Sequence, residues 1–257
     1  MPHKPLRIPD TDFTITTDVT VHLEALAPPP GTVYWTMSHV CLGFTPADPE
    51  YEPGKWSPHT IGSEMLWADE FRFDQKSGHL RSFYLQLPTP TVRWDRVSRY
   101  PKLPLDNTGL LTLTRRRSFA GPIATALALD PDGSALVGLY PPEHKRIPNR
   151  RYTIADGLDL LSDGHECSGW ILHRPAEVLV EGGRERRFDR ERAPVSPDIP
   201  TFLAELLALL QIPSFADGQA NRELRHRLDT LADAVRQAPE SRATAVLLDH
   251  IRRQLRD

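Results

Sequence analysis

The residues best suited to chemistry occur twice in one pattern, His-x-Cys-x-Gly: His39-Val40-Cys41-Leu42-Gly43 and His165-Glu166-Cys167-Ser168-Gly169. Together they hold both cysteines of the 257-residue chain. On an extended strand, residues two apart project to one face, so each segment can set an imidazole beside a thiol. Two such strands side by side would supply two nitrogens and two sulfurs from His39, Cys41, His165 and Cys167, a soft-metal ligand set. The same pairing would suit a thiol activated by its neighbouring histidine. If the second segment stays extended, His165, Cys167, Gly169, Ile171 and His173 share a face, adding one more ligand. Zinc ribbons and fingers, however, place two ligands across a tight turn, which neither segment does. A buried cysteine acting as a small hydrophobe is the plainer reading of both.

Carboxylates offer a second chemistry. Glu64, Asp69 and Glu70 flank Trp67, and Glu166 lies inside the second His-x-Cys segment. Paired carboxylates serve as acid and base when their surroundings split their pKa values. Ahead of a strand, though, Asp and Glu are ordinarily solvated. Trp35, Trp67, Tyr84 and Trp170 are the aromatic side chains expected to line a small-molecule pocket, should the strands enclose one.

The elements that must position these groups are mostly strands. Phe13 to Ala25 alternates, with Phe13, Ile15, Val19, Val21 and Leu23 on one face, and reads as one long half-buried strand. Val33 to Phe44 reads as a second, with Val33, Trp35, Met37, His39 and Cys41 on one face and an equally apolar opposite face, as in a central strand. Residues 45–60, rich in Pro, Gly and acidic side chains, read as an irregular loop. A weak repeat follows with an offset of 56 residues: Phe73-Asp74-Gln75-Lys76-Ser77-Gly78-His79-Leu80 and Leu129-Asp130-Pro131-Asp132-Gly133-Ser134-Ala135-Leu136. Each copy predicts strand, Asp/Gly turn, strand. Further extended runs are Leu110 to Thr114, Gly169 to His173 and Glu177 to Glu181, with Gly182-Gly183 as a tight turn. About eight to ten strands result, spaced as in a sandwich or barrel.

After Pro194, Pro197 and Pro200 the pattern turns helical. Asp198 can cap a short helix over Thr201 to Leu210. Leu224, Leu228, Leu231 and Val235, then Thr244, Leu248, Ile251 and Leu255, repeat at helical spacing on either side of Ala238-Pro239, predicting an amphipathic hairpin. Such a hairpin can pack on its own protein or dock a partner chain.

Composition narrows the function classes. The chain is 39% hydrophobic and 25% charged with a formal net charge of -3, which argues against a general nucleic-acid binder. Basic runs at Arg115-Arg116-Arg117, Lys145-Arg146, Arg150-Arg151 and Arg184 to Arg192 leave a phosphate site conceivable. No apolar run approaches the roughly 20 residues that span a bilayer, and Met1 to Arg7 has no secretory apolar stretch. Two cysteines build no disulfide framework, which fits a reducing cytoplasm. Only five of the 31 basic residues are lysine, and prolines number 25, a bias that GC-rich bacterial codons explain. GxGxxG, Walker A, HExxH and GxSxG motifs do not occur.

The sequence therefore predicts an α+β protein: a β-rich antiparallel sandwich or barrel-like body over residues 1–195 and a helical segment over 198–257. The expected function is that of a bacterial cytoplasmic, non-catalytic binding or interaction protein whose C-terminal helices dock a partner protein. The competing class is an enzyme with a small-molecule pocket in the body, using the paired His-x-Cys segments for metal or thiol chemistry. The sequence names no cofactor.

Overall fold

The computed structural model describes residues 12–16, 19–29, 32–37, 39–43, 60–63, 68–87, 92–141, 147–180, 196–210 and 218–256. Trp67, Glu64, nearly all of the 45–60 loop and the Gly182-Gly183 turn lie outside them, and for His39 and Cys41 only the backbone is described.

Both long runs near the start fold as hairpins rather than single strands. β1 (Asp12–Thr16) and β2 (Val19–Glu24) run antiparallel with Thr16 opposite Val19. The turn contains neither Gly nor Pro, so the sequence does not announce it. The alternation survives, because Phe13 pairs with Val21 and all five predicted apolar residues are buried. The next run splits into β3 (Thr32–Trp35) and β4 (His39–Gly43). Met37 lies between them with φ 72°, a left-handed conformation uncommon outside glycine. The reversal pairs Val33 with Leu42 and Trp35 with Val40, and these four share the main core.

β3 and β4 belong to a five-stranded sheet ordered β3-β4-β7-β6-β5, completed by β5 (Thr60–Gly62), β6 (Glu70–Asp74) and β7 (Leu80–Gln86). β1 and β2 join β9 (Leu110–Leu113) in a three-stranded sheet. The third sheet has six strands: β10 (Ala126–Leu129), β11 (Ala135–Leu139), β14 (Cys167–His173), β13 (Leu158–Ser162), β12 (Arg150–Ala155) and β8 (Leu105–Thr108), in that order. Every pairing is antiparallel except β8 with β12. Bridges from Thr14 to Glu166 and from His79 to Thr112 stitch the sheets together, and the Phe13 and Tyr152 rings stack at 5.2 Å.

The 56-residue repeat is hairpin architecture. In the first copy Asp74 Oδ1 accepts from the amides of Lys76 and Ser77 at 2.9 and 2.7 Å, and Gly78 takes φ 80°. In the second, Asp130 Oδ1 accepts from the Asp132 amide and Gly133 takes φ 68°. A Cβ at Gly133 would meet Pro200 at 2.4 Å, so this turn also seats the first helix. The run expected from Glu177 is extended only in part: Glu177 and Val178 close a 3-10 turn, Pro175–Val178, entered through Arg174 at φ 48° with Pro175 fixing the next residue, and Leu179 then forms a parallel bridge with Trp35.

Three helices follow, α1 (Ile199–Leu209), α2 (Gly218–Gln237) and α3 (Arg242–Arg256). Asp198 occupies the cap position of α1 but its carboxylate accepts no capping bond; Ser196 Oγ donates to its Oδ2 at 3.4 Å instead. α3 is capped reciprocally: the Thr244 amide donates to Ser241 Oγ at 3.2 Å and the Ser241 amide to Thr244 Oγ1 at 2.8 Å. The predicted helical stripes face inward. Leu228, Leu231, Val235 and Ile251 join the same continuous apolar cluster as Val21, Trp35 and Phe71, with Leu224, Leu248 and Leu255 half-buried against it; Leu247, outside the expected stripe, is buried there too. None of the described helices is long and apolar enough to cross a membrane.

Candidate functional site

Two polar clusters hold the chemically capable side chains, one on each face of the six-stranded sheet. The first centres on Asp69, just before β6. Strand alternation sets it on the face of Phe71 and Phe73, which lie in the main core, so this carboxylate points inward. Its Oδ2 accepts from Tyr140 Oη at 2.6 Å and its Oδ1 from the Gln86 amide at 2.7 Å. Its backbone is fixed as well, its amide donating to Pro122 O at 2.8 Å and its carbonyl accepting from Ser63 Oγ at 3.0 Å.

β11 supplies the opposite wall. Leu136, Gly138 and Tyr140 alternate onto the main-core face, and a Cβ at Gly138 would lie 2.3 Å from the Trp170 indole. Gly138 is thus the seat of Trp170. Trp170 Nε1 completes no hydrogen bond of ordinary geometry, yet it is near enough to favour the charged form of Asp69. Cys167 is the fourth member, its thiol 3.6 Å from Gly169 O.

This cluster is sealed: Asp69 and Trp170 are 0% exposed, Tyr140 5% and Cys167 7%. Burial pushes the Asp69 carboxyl up to about 7, against the lowering effect of Tyr140, the Gln86 amide and Trp170. Burial, reinforced by the Asp69 charge, also raises the Tyr140 phenol well above its usual range. The Cys167 thiol is pushed up to about 12, first by burial. A protonated, enclosed thiol is a poor nucleophile. What the arrangement does is tie the five-stranded sheet, through Asp69 and Gln86, to the six-stranded sheet, through Tyr140 and Trp170.

The expected shared face of His165, Cys167, Ile171 and His173 is not formed. Ser162 pairs with Cys167 but Leu161 pairs with Gly169, leaving Ser168 as an extra residue in a bulge. One added residue turns the side chains before it to the other side. Cys167 therefore joins Trp170 in the main core, while Ile171 lies in a second apolar cluster on the opposite face. His165 is exposed, in a turn where Asp163 Oδ1 accepts from the amides of His165 and Glu166 at 2.8 Å. Imidazole and thiol are held apart.

The other predicted residues are distributed as follows. Trp35 is 0% exposed in the main core with its Nε1 unpartnered, and Tyr84 is half-buried against a small cluster of Tyr34 and Val180. The backbone register places Cys41 between Tyr34 and Tyr84, and His39 opposite Gln86, the residue whose amide holds Asp69. The two His-x-Cys segments thus lie in different sheets. Among the described residues no group of three or more His, Cys, Asp or Glu side chains could hold a metal ion.

The second polar cluster lies on the other face, beside Ile171. Asp159 on β13, 3% exposed, accepts from His173 at 2.7 Å (Nε2 to Oδ2) and from Thr153 Oγ1 at 2.6 Å, and Arg151 Nε stands 3.4 Å from its Oδ2. Burial alone would raise this carboxyl, but the His173 and Thr153 hydrogen bonds and the His173 and Arg151 charges hold it below its ordinary value. Arg151 Nη1 also donates to Pro101 O at 2.6 Å, tying β12 to the segment that covers this face. The histidine is oriented and half-buried, and Asp159 keeps it in place. The sequence singled out Asp69 and His173 separately and joined neither to its partners. The Asp69-x-Phe71-x-Phe73 alternation is the signal that marks a carboxylate at a core position.

The chain matches no family model and no curated protein sequence.

Proposed function

We propose that the protein is a non-catalytic binding or interaction protein, with the β-rich body as its frame and the C-terminal helices as a docking element for a partner protein. The observation that carries this reading is the separation of His165, at the surface, from Cys167, enclosed and pushed up to about 12. The Cys167 thiol is held protonated by burial and, among the described residues, has no imidazole beside it to activate it. The apolar faces of α2 and α3 are turned inward, so docking runs through the polar outer face, where Arg222, Arg225, Asp229 and Asp233 are exposed.

Deleting residues 214–257 would uncover Leu203 and Leu206 of α1 and is expected to give aggregate. The informative variant is Arg225→Glu with Asp229→Arg, which leaves the core intact. Crosslinking of the full chain in its host should recover a partner that this variant loses while Cys167→Ser retains it. Equal recovery by wild type and the charge-swapped variant would sink the helical docking reading. The competing enzyme reading, with His39, Cys41, His165 and Cys167 as a metal or thiol site, predicts stoichiometric metal in the purified protein and lower stability in chelator.

A further inference from the structure

Residues 92–103 form a ribbon of tight turns across the outer face of the six-stranded sheet. Two 3-10 segments, Trp94–Arg96 and Tyr100–Lys102, are joined by turns, with successive amides reaching back three residues from Val97 to Trp94, Tyr100 to Val97 and Leu103 to Tyr100. In such a ribbon side chains three apart stack in rows. One row, Trp94, Val97, Tyr100 and Leu103, packs into the second apolar cluster. The row one residue earlier in register, Arg93, Arg96, Arg99 and Lys102, is exposed along its whole length.

Among the described residues, only Arg93 in that row has an acidic partner, Asp95 at 2.7 Å. Arg99 lies over the Tyr100 ring at 5.2 Å, while Arg96 and Lys102 make no side-chain hydrogen bond or ion pair among the described residues. The row is a cationic stripe on a protein whose net charge is -3. It leads directly into β8, the edge strand of the sheet, where Leu105 is 47% exposed. Leu105 pairs with Arg151, so the exposed Ile147 precedes the neighbouring strand at the same end. A stripe of cations, a strand edge that no described residue pairs and two exposed aliphatic side chains adjoin one another.

We propose that this surface docks an extended acidic segment of a protein partner, paired with the β8 edge and laid along the stripe. The spacing fits. Cations three residues apart in a 3-10 ribbon recur about every 6 Å, and carboxylates on alternate residues of a strand about every 7 Å. Edge pairing supplies backbone hydrogen bonds, and the intervening residues of the segment supply apolar contacts for Leu105 and Ile147. Single-stranded nucleic acid has phosphates to match but needs stacking faces, and here Tyr100 is buried and Trp94 is packed inward. The surface is separate from the polar face of α2, so this proposal stands or falls independently of helical docking.

The test uses the full chain and a labelled peptide of about twelve residues alternating Glu and Val, followed by fluorescence anisotropy. Controls are a peptide of the same composition with Glu and Val in separate blocks and an oligothymidylate of about fifteen nucleotides. The alternating peptide should bind saturably, weaken as salt rises, and bind about tenfold more weakly to Arg96→Glu/Lys102→Glu, whose circular dichroism should match wild type. Leu105→Lys, which adds a cation while blunting the edge, should also weaken binding. No saturable binding, equal binding by the double variant, equal binding of the block peptide, or a gain in Leu105→Lys would overturn the proposal. Tighter binding of oligothymidylate would overturn it in favour of a nucleic-acid surface.

Discussion

Asp69 and Asp159 are both enclosed aspartates beside the same six-stranded sheet, yet their carboxyls are driven in opposite directions. Asp69 is surrounded by neutral donors, Tyr140, Trp170 and the Gln86 amide, and burial wins, raising it to about 7. Asp159 is slightly less enclosed and faces His173 and Arg151, and with Thr153 they overcome burial and lower it. The lesson is that burial sets the cost of a charge and the partners' own charge decides whether that cost is met. One face of the sheet carries a protonatable clasp, the other an ion cluster.

The largest test of this contrast is the pH dependence of unfolding. A carboxyl raised from 3.8 to about 7 stabilises the fold fully below pH about 4, and that contribution is lost as pH rises through about 7. The difference corresponds to about 4 kcal/mol between those limits. Urea unfolding of wild type should show this decline, and Asp69→Asn should flatten it and be the more stable protein above pH 8. A wild-type profile unaffected by Asp69→Asn would break the comparison from the Asp69 side.

The Asp159 side predicts the opposite sign. A lowered carboxyl contributes stability above its ordinary value, and the contribution is lost as pH falls. Asp159→Ala leaves Arg151 and His173 without their shared anion, and partial solvent access at 17% and 29% exposure softens the penalty. A loss of about 2–3 kcal/mol at neutral pH is expected in urea titrations, shrinking in acid. An unchanged midpoint would show that the cluster is solvated.

Gly138→Ala sharpens the account of the clasp. Its Cβ would enter the Trp170 indole at 2.3 Å, and the main-core face of β11 has no room to give way. About 1–3 kcal/mol of destabilisation is expected, with a change in tryptophan fluorescence, since the ring must shift from its present seat. A silent substitution on both counts would mean that Trp170 has another place to lie.

Much of the fold was legible in the chain. Composition and alternation identify an α+β protein with a β-rich body, and the Asp/Gly turns at 74–78 and 130–133 fold as hairpins because side-chain carboxylates hold the turn amides. The helical stripes of α2 and α3 were readable for the same reason: 3.6-residue periodicity is local. What escaped is backbone geometry without a residue signature. The reversal at Met37 uses a left-handed residue that is not glycine, and the hairpin between Thr16 and Val19 has no Gly or Pro. The bulge at Ser168 moves Cys167 to the other face, so a strict two-residue period places it beside the wrong neighbours. The clasp joins residues 71 apart along the chain, Asp69 and Tyr140, a contact no local pattern encodes.

The central claim is that Asp69 is enclosed and protonatable near neutrality while Asp159 stays ionised. Carboxyl carbon NMR of the full chain, labelled at aspartate and assigned with Asp69→Asn and Asp159→Asn, reads both groups in one titration. The account predicts an inflection near pH 7 that vanishes in Asp69→Asn, and an Asp159 resonance that remains in its ionised position to below the ordinary aspartate range. An Asp69 resonance that titrates alongside exposed aspartates, near pH 4, would contradict it.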